Sequence, residues 1–182
     1  EPSPRNPRVT FNGNALFRHQ ELAEIADTAD DPQEAMAKEK GLTYVKLDGN
    51  VGILANGAGL CMSTLDVVAQ AGGRPANFLD AGGGSKAEAI VDALTVITSD
   101  EKVTAILFNI FGGITRCDEI AKGIVEASSQ LDLEVPLVVR LDGTNSEEGL
   151  AILAEADLPN LRQEKTMLDA ARRVVELAGS AS

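Results

Sequence analysis

From residue 48 onward, short apolar runs alternate with stretches whose apolar positions recur every three or four residues. The runs predict strands over 51–55, 76–79, 103–111, 137–141 and 158–162. The stretches between them predict helices over 60–71, 86–98, 117–131, 145–155 and 166–178. Ile90, Leu94 and Ile97 share one face of the second helix, and Ile120, Ile124, Ala127 and Leu131 share one face of the third. Leu168, Ala171 and Val175 do the same in the last. Ser85-x-x-Glu88, Thr115-x-x-Asp118 and Thr166-x-x-Asp169 have the spacing of capping boxes, the last two with Asp in place of Glu.

Five strand–helix units with apolar strands imply an α/β fold, a parallel sheet covered by helices on both faces. Right-handed crossovers make such a sheet doubly wound. A five-stranded sheet in the flavodoxin-like order 2-1-3-4-5 fits five units better than a longer Rossmann sheet.

Residues 1–47 lack this rhythm. Three prolines within residues 1–7 predict a loose tail. A short strand over 9–11, a turn over 12–14, helices over 15–26 and 32–40 and a strand over 44–47 follow. Pro32 suits the first turn of its helix. This part holds too few apolar residues to close a core alone. The expected boundary therefore falls between 47 and 48, with the α/β domain occupying 48–182.

The 182 residues carry 16 Lys+Arg against 28 Asp+Glu, a formal net charge of -12. That excludes an electropositive nucleic-acid surface and disfavours docking on anionic lipid. Most of the excess lies in residues 48–182, which hold 20 acidic and 10 basic residues. No apolar run approaches the roughly 20 residues of a membrane span, and no secretory signal pattern opens the chain. Cys61 and Cys117 form no C-x-x-C and are expected as reduced thiols in an intracellular protein. One His and two Cys make no strong zinc site. The sequence starts at Glu1 rather than Met, so an upstream segment is expected to have been removed.

Three glycine-rich loops follow three consecutive predicted strands: 56–59, 82–84 and 112–113. In a parallel sheet they gather at the carboxyl edge, where ligands bind. Glycine lets backbone N–H groups approach an anion, and a following helix adds its positive end. Gly112-Gly113-Ile114-Thr115 runs most directly into a helix and is the sharpest candidate. Neither G-x-G-x-x-G nor G-x-x-x-x-G-K-[ST] is present. His19 lies outside the α/β rhythm, and Cys117 sits in the first turn of a predicted helix. Asp48 and Asp80 flank strands, and residues 142–145 read as a turn and cap. The residues alone thus imply a carboxyl-edge anion site and no specific reaction.

The runs Asn14-Ala-Leu-Phe-Arg-His19, Tyr44-Val-Lys-Leu-Asp-Gly49, Asn56-Gly-Ala-Gly59, Pro75-Ala-Asn-Phe-Leu-Asp80, Gly82-Gly-Gly84, Asn109-Ile-Phe-Gly-Gly-Ile114, Arg116-Cys-Asp118 and Val138-Val-Arg140 together closely resemble the succinyl-CoA synthetase β-subunit family. The resemblance covers nearly the whole chain from Val9, and only the carboxyl-terminal part of that subunit. It implies that residues 1–47 are the last fragment of an ATP-grasp region, followed by a flavodoxin-like CoA-ligase domain. It implies a ligase of the tricarboxylic acid cycle that interconverts succinate, CoA and a nucleoside triphosphate with succinyl-CoA, the diphosphate and phosphate. The partner is an α subunit that binds CoA and carries a phosphorylated histidine. Substrate contacts are implied at Asn56, Gly113, Ile114 and Thr115. A helix N-terminus facing the phosphohistidine is implied at Gly112, Gly113, Ile114 and Thr115. No residue of this chain is implied as a covalent catalyst.

The family's magnesium ligand is an Asp at the position of Asn12. An amide oxygen coordinates Mg²⁺ without the charge of a carboxylate, so the cofactor is expected of the complete enzyme. This chain alone is expected to be inactive. The bacterial cytoplasm or the mitochondrial matrix is the implied location. A malate–CoA ligase β subunit shares much of the pattern, and a non-catalytic subunit-association module is the alternative from another class. A flavin-binding reading is weakened by an aromatic content of 3%.

Overall fold

The computed structural model describes residues 31–82, 87–131 and 133–180. The expectations for residues 1–30, including Asn12 and His19, lie outside the described residues, as do those for residues 83–86.

The chain order is α1 (Pro32–Glu39), β1 (Thr43–Lys46), β2 (Val51–Ala55), α2 (Ala58–Gln70), β3 (Asn77–Asp80) and α3 (Ala87–Thr98), then β4 (Ala105–Gly112), α4 (Cys117–Gln130), β5 (Leu137–Gly143), α5 (Ser146–Glu155), β6 (Leu161–Gln163) and α6 (Met167–Ser180). The strands form one sheet in the order β1-β3-β2-β4-β5-β6. β2 to β6 pair in parallel, and β1 lies antiparallel to β3 with Tyr44 opposite Leu79. The five parallel strands thus run in the expected order 2-1-3-4-5.

The expectation of five strands, all parallel, is corrected: the sheet has six strands and is mixed. Only residues 47–50 separate β1 from β2. A parallel crossover needs a dozen or more residues, so β1 turns back and takes the open edge of β3. Its edge is blunted from α1, where Glu34 Oε1 accepts from Lys46 N at 2.9 Å. Asp31 caps α1, accepting from the amides of Gln33 and Glu34 at 2.9 and 3.2 Å, and Pro32 fills the first turn as expected.

Strand alternation sends side chains to two apolar layers. Ile106, Phe108 and Ile110 of β4 meet Ile90, Leu94 and Ile97 of α3 and Ile120 and Ile124 of α4. Ala105 and Leu107 of the same strand meet Cys61 and Val68 of α2 and Ala170, Ala171 and Val174 of α6 on the other face. All of these residues are fully buried. The sheet is covered on both faces, and the β2, β3, β4 and β5 loops emerge together at its carboxyl edge.

Candidate functional site

The described amides of the three glycine-rich loops differ in what they do; of the second loop only Gly82 is among the described residues. α2 begins at Ala58, so the first loop is shorter than expected and consists of Asn56 and Gly57. Asp80, at the end of β3, places one carboxylate oxygen on two amides: Oδ1 accepts from Gly57 N at 2.6 Å and from Gly82 N at 2.7 Å. An internal anion therefore already occupies donors of the first two loops. In the third loop, the amides of Gly113 and Ile114 donate to no group among the described residues.

The third loop opens on a groove of about 550 Å³. Asn56, Gly113, Ile114 and Thr115, four of the implied contact residues, line it together with Leu60, Ser63 and Phe111. Thr115 is buried, whereas Ile114 is 89% exposed and Phe111 54%. Gly112 lies behind the groove, buried against the β5–α5 turn. Thr144 N donates to Gly112 O at 2.9 Å, and Cys117 N donates to Thr144 O at 3.0 Å. The turn thus holds the loop at both ends, which suits a donor set that must not reorganise when charge arrives.

α4 starts at Cys117, one turn beyond where the loop begins. Its cap is Arg116, which makes no side-chain cap bond, so Thr115 is not the cap that its spacing to Asp118 suggested. Asp118 instead pairs with Arg116, accepting from Nε at 3.1 Å and from Nη2 at 2.9 Å. Asn145 Nδ2 donates to the same carboxylate at 3.2 Å, and Lys122 lies 3.8 Å away. The Arg116 hydrogen bonds hold the Asp118 carboxyl below the usual carboxylate range, against the opposing effect of burial. A carboxylate in the first turn opposes an anion at a helix N-terminus, and this pairing offsets its charge. At the third box, Thr166 caps α6 as the spacing predicts, with Asp169 N donating to Thr166 Oγ1 at 3.1 Å, and the Asp169 carboxylate accepts from that hydroxyl at 2.7 Å.

Cys117 does not use its place in the first turn as a thiolate. Burial is the largest influence on its thiol and pushes it up, and Sγ donates to Asp142 O at 3.4 Å. It behaves as a small apolar side chain.

Beneath the edge lies a polar cluster. Asn109 stands opposite Arg140 in the β4–β5 register. Arg140 Nη1 donates to Asn109 Oδ1 at 3.2 Å, and Asn109 Nδ2 donates to Thr64 Oγ1 at 2.8 Å. Arg140 also pairs with Asp142, whose Oδ1 accepts from Gly143 N at 2.8 Å. Nothing in the sequence pattern marks Thr64 or a structural role for Asn109, beyond the one signal that Asn109 is a polar residue inside the most apolar strand.

Among the described residues, no three His, Cys, Asp or Glu side chains gather so as to hold a metal ion. No described helix is long and apolar enough to cross a membrane. Among the described residues, the arrangement offers two backbone amides without an acceptor at the carboxyl edge, an apolar rim, and no nucleophile–base pair.

A family model described as CoA-ligase matches residues 54–174. The chain belongs to the CoA-ligase family. Over 172 residues it is 62% identical to the succinate–CoA ligase (ADP-forming) subunit beta of Rubrobacter xylanophilus, an alignment covering 94% of this chain and 45% of that protein. It is 52% identical over 174 residues to the succinate–CoA ligase (ADP-forming) subunit beta 2 of Archaeoglobus fulgidus, again covering 94% of this chain and 45% of that protein. The chain therefore spans about half the length of the curated relatives it matches. Among solved structures, ATP citrate lyase from Methanothrix soehngenii, in complex with citrate and coenzyme A, shares the fold with a TM-score of 0.72 at 16% identity. That match covers 90% of this chain and 52% of the lyase chain. Within the CoA-ligase family region, the matched segment takes in Asn56 and the whole of Gly112–Thr115.

Proposed function

We propose that this chain is the carboxyl-terminal ligase part of a succinate–CoA ligase β subunit. The complete enzyme would interconvert succinate, CoA and a nucleoside triphosphate with succinyl-CoA, the diphosphate and phosphate. The observation that carries the reading is the 62% identity to the Rubrobacter xylanophilus subunit along 94% of this chain. The strand order of β2 to β6 supports a flavodoxin-like description of the domain; residues 1–47 are proposed as the end of an ATP-grasp region, whose β1 joins the edge of the domain's sheet.

In this proposal the chain contributes binding and positioning, with no covalent step of its own. The amides of Gly113 and Ile114 receive an anionic group, either the acid's carboxylate or the phosphoryl group of a phosphohistidine on an α subunit. Thr115 and Asn56 bound the same groove. The N-terminus of α4 adds positive potential directly behind the loop. Mg²⁺ belongs to the nucleotide chemistry of the complete enzyme, and Asn12, an amide where the family has a carboxylate, is a poor ligand for it. The working location is the bacterial cytoplasm or the mitochondrial matrix.

The exposure of Ile114 and Phe111 at the groove mouth favours a second reading that overlaps the first. The same edge would be the docking surface of the α subunit, and the domain an association module. A coupled thioester assay separates them. The chain alone should give no succinyl-CoA, and the full-length β subunit with an α subunit should give sustained turnover. Turnover on malate but not succinate would redirect the substrate assignment to a malate–CoA ligase. Assembly with no turnover on either acid would leave the association module as the function.

A further inference from the structure

β2 stops too early to cover β4. Its last ladder pair is Ala55 opposite Asn109, while β4 continues to Gly112. On the far side β5 accompanies β4 to its end, with Gly112 opposite Gly143. The backbone groups of Phe111 on the β2 side would therefore have no strand partner.

Asn56 supplies one. Its Nδ2 donates to Phe111 O at 2.8 Å, and its Oδ1 accepts from Phe111 N at 2.9 Å. A carboxamide carries the same donor and acceptor as a peptide group, so it can stand in for a missing residue of β2. We infer that Asn56 is a positioning residue whose side chain adds one rung to the β2–β4 ladder and so fixes Phe111–Ile114 before any ligand arrives.

The resemblance implied Asn56 as a substrate contact. The geometry assigns it a prior task, because both amide atoms already hold a backbone partner. The amides of Gly113 and Ile114 follow two and three residues after the rung. A donor pair is useful for binding charge only if it stays aimed without rearrangement, and the rung anchors the side of the loop that the β5–α5 turn does not reach. The catalytic consequence rests on the function proposed above; the structural consequence does not.

The test uses the full-length β subunit assembled with its α subunit. Amide hydrogen exchange is followed without any ligand in wild type, Asn56→Ala and Asn56→Asp. The aspartate is isosteric and puts an oxygen against Phe111 O in place of the N–H donor. Exchange across residues 109–115 should quicken roughly five- to tenfold in Asn56→Asp, the factor for losing one such bond, and more in Asn56→Ala, which loses both, with α6 unchanged. Phosphorylation of the α subunit by the nucleoside triphosphate, measured with no acid and no CoA, should slow as well. If exchange over 109–115 stays at the wild-type rate and only the KM for the acid rises, Asn56 is a ligand and the inference is wrong. Should Asn56→Ala lose protection in α6 too, the isosteric variant alone decides. A wild-type assembly that makes no thioester would overturn the proposed function while leaving the exchange result to stand or fall by itself.

Discussion

Gly143 and Gly112 are packed backbone against backbone. A Cβ added to Gly143 would lie 2.2 Å from the carbonyl oxygen of Gly112. Gly143 also sits at φ +88, a conformation that side-chain-bearing residues rarely adopt. Two penalties therefore coincide at one position. Gly143→Ala should destabilise the fold by about 2 kcal/mol or more, read as a lowered urea midpoint with an unchanged slope. Because the displaced atom belongs to Gly112, the same variant should lose activity in the assembled enzyme beyond its loss of folded protein.

Asp80 binds the amides of Gly57 and Gly82 with one oxygen. Asp80→Ala strips both of their acceptor. The expected cost is about 1–3 kcal/mol, measured by equilibrium denaturation. Asp80→Asn, which retains an acceptor oxygen, should recover a good part of it.

The Asp118 carboxyl is held below its ordinary value, chiefly by hydrogen bonds from Arg116. A carboxyl with a depressed folded-state pKa contributes stability that is fully present above its unfolded value, near 3.9, and is lost as pH falls through the folded value. Wild type should therefore show an acid limb of falling stability below about pH 4, and Asp118→Asn should flatten it. Equal slopes in the two proteins would remove Asp118 from the acid limb.

Much of the fold could be read from apolar spacing. β2 and the register of the α3 and α4 faces follow directly from it, because buried parallel strands and amphipathic helices leave strong periodic signals. The sequence pattern predicts β1 as a strand but carries no sign of its pairing. Four residues of ordinary strand character carry no mark of their partner, and the antiparallel turn-back depends on the short link that follows. β6 came out shorter and later than expected because Leu158 belongs to the turn before it rather than to the ladder. At the site, the three glycine loops pointed to the carboxyl edge, the third most sharply because it runs directly into a helix. What separates them is the carboxylate of Asp80, whose reach across two loops is a matter of geometry. The Asn56 rung was hidden for the same reason: 55 residues separate it from Phe111.

The thiols give a chemical check on the edge. Burial pushes Cys61 up to about 11 and raises Cys117 from its ordinary value. Both should alkylate with iodoacetamide far more slowly at pH 7.5 in the folded protein than in urea, since the thiolate is the nucleophile. Rapid modification of Cys117 in the folded protein would mean that the α4 N-terminus outweighs burial there.

The central claim is that the amides of the third loop bind the charge on which the reaction turns, and Gly113→Pro tests it most directly. A Cβ at Gly113 meets nothing within 4 Å, so the substitution removes an N–H at a position with room for a side chain. On the function proposed above, kcat for succinyl-CoA formation by the full-length β subunit assembled with an α subunit should fall about 10²- to 10³-fold, as for other lost anion-stabilising donors. Gly113→Ala, which keeps the N–H, should lose far less, and subunit association should be intact in both. Near-normal turnover by an assembled Gly113→Pro enzyme would contradict the account.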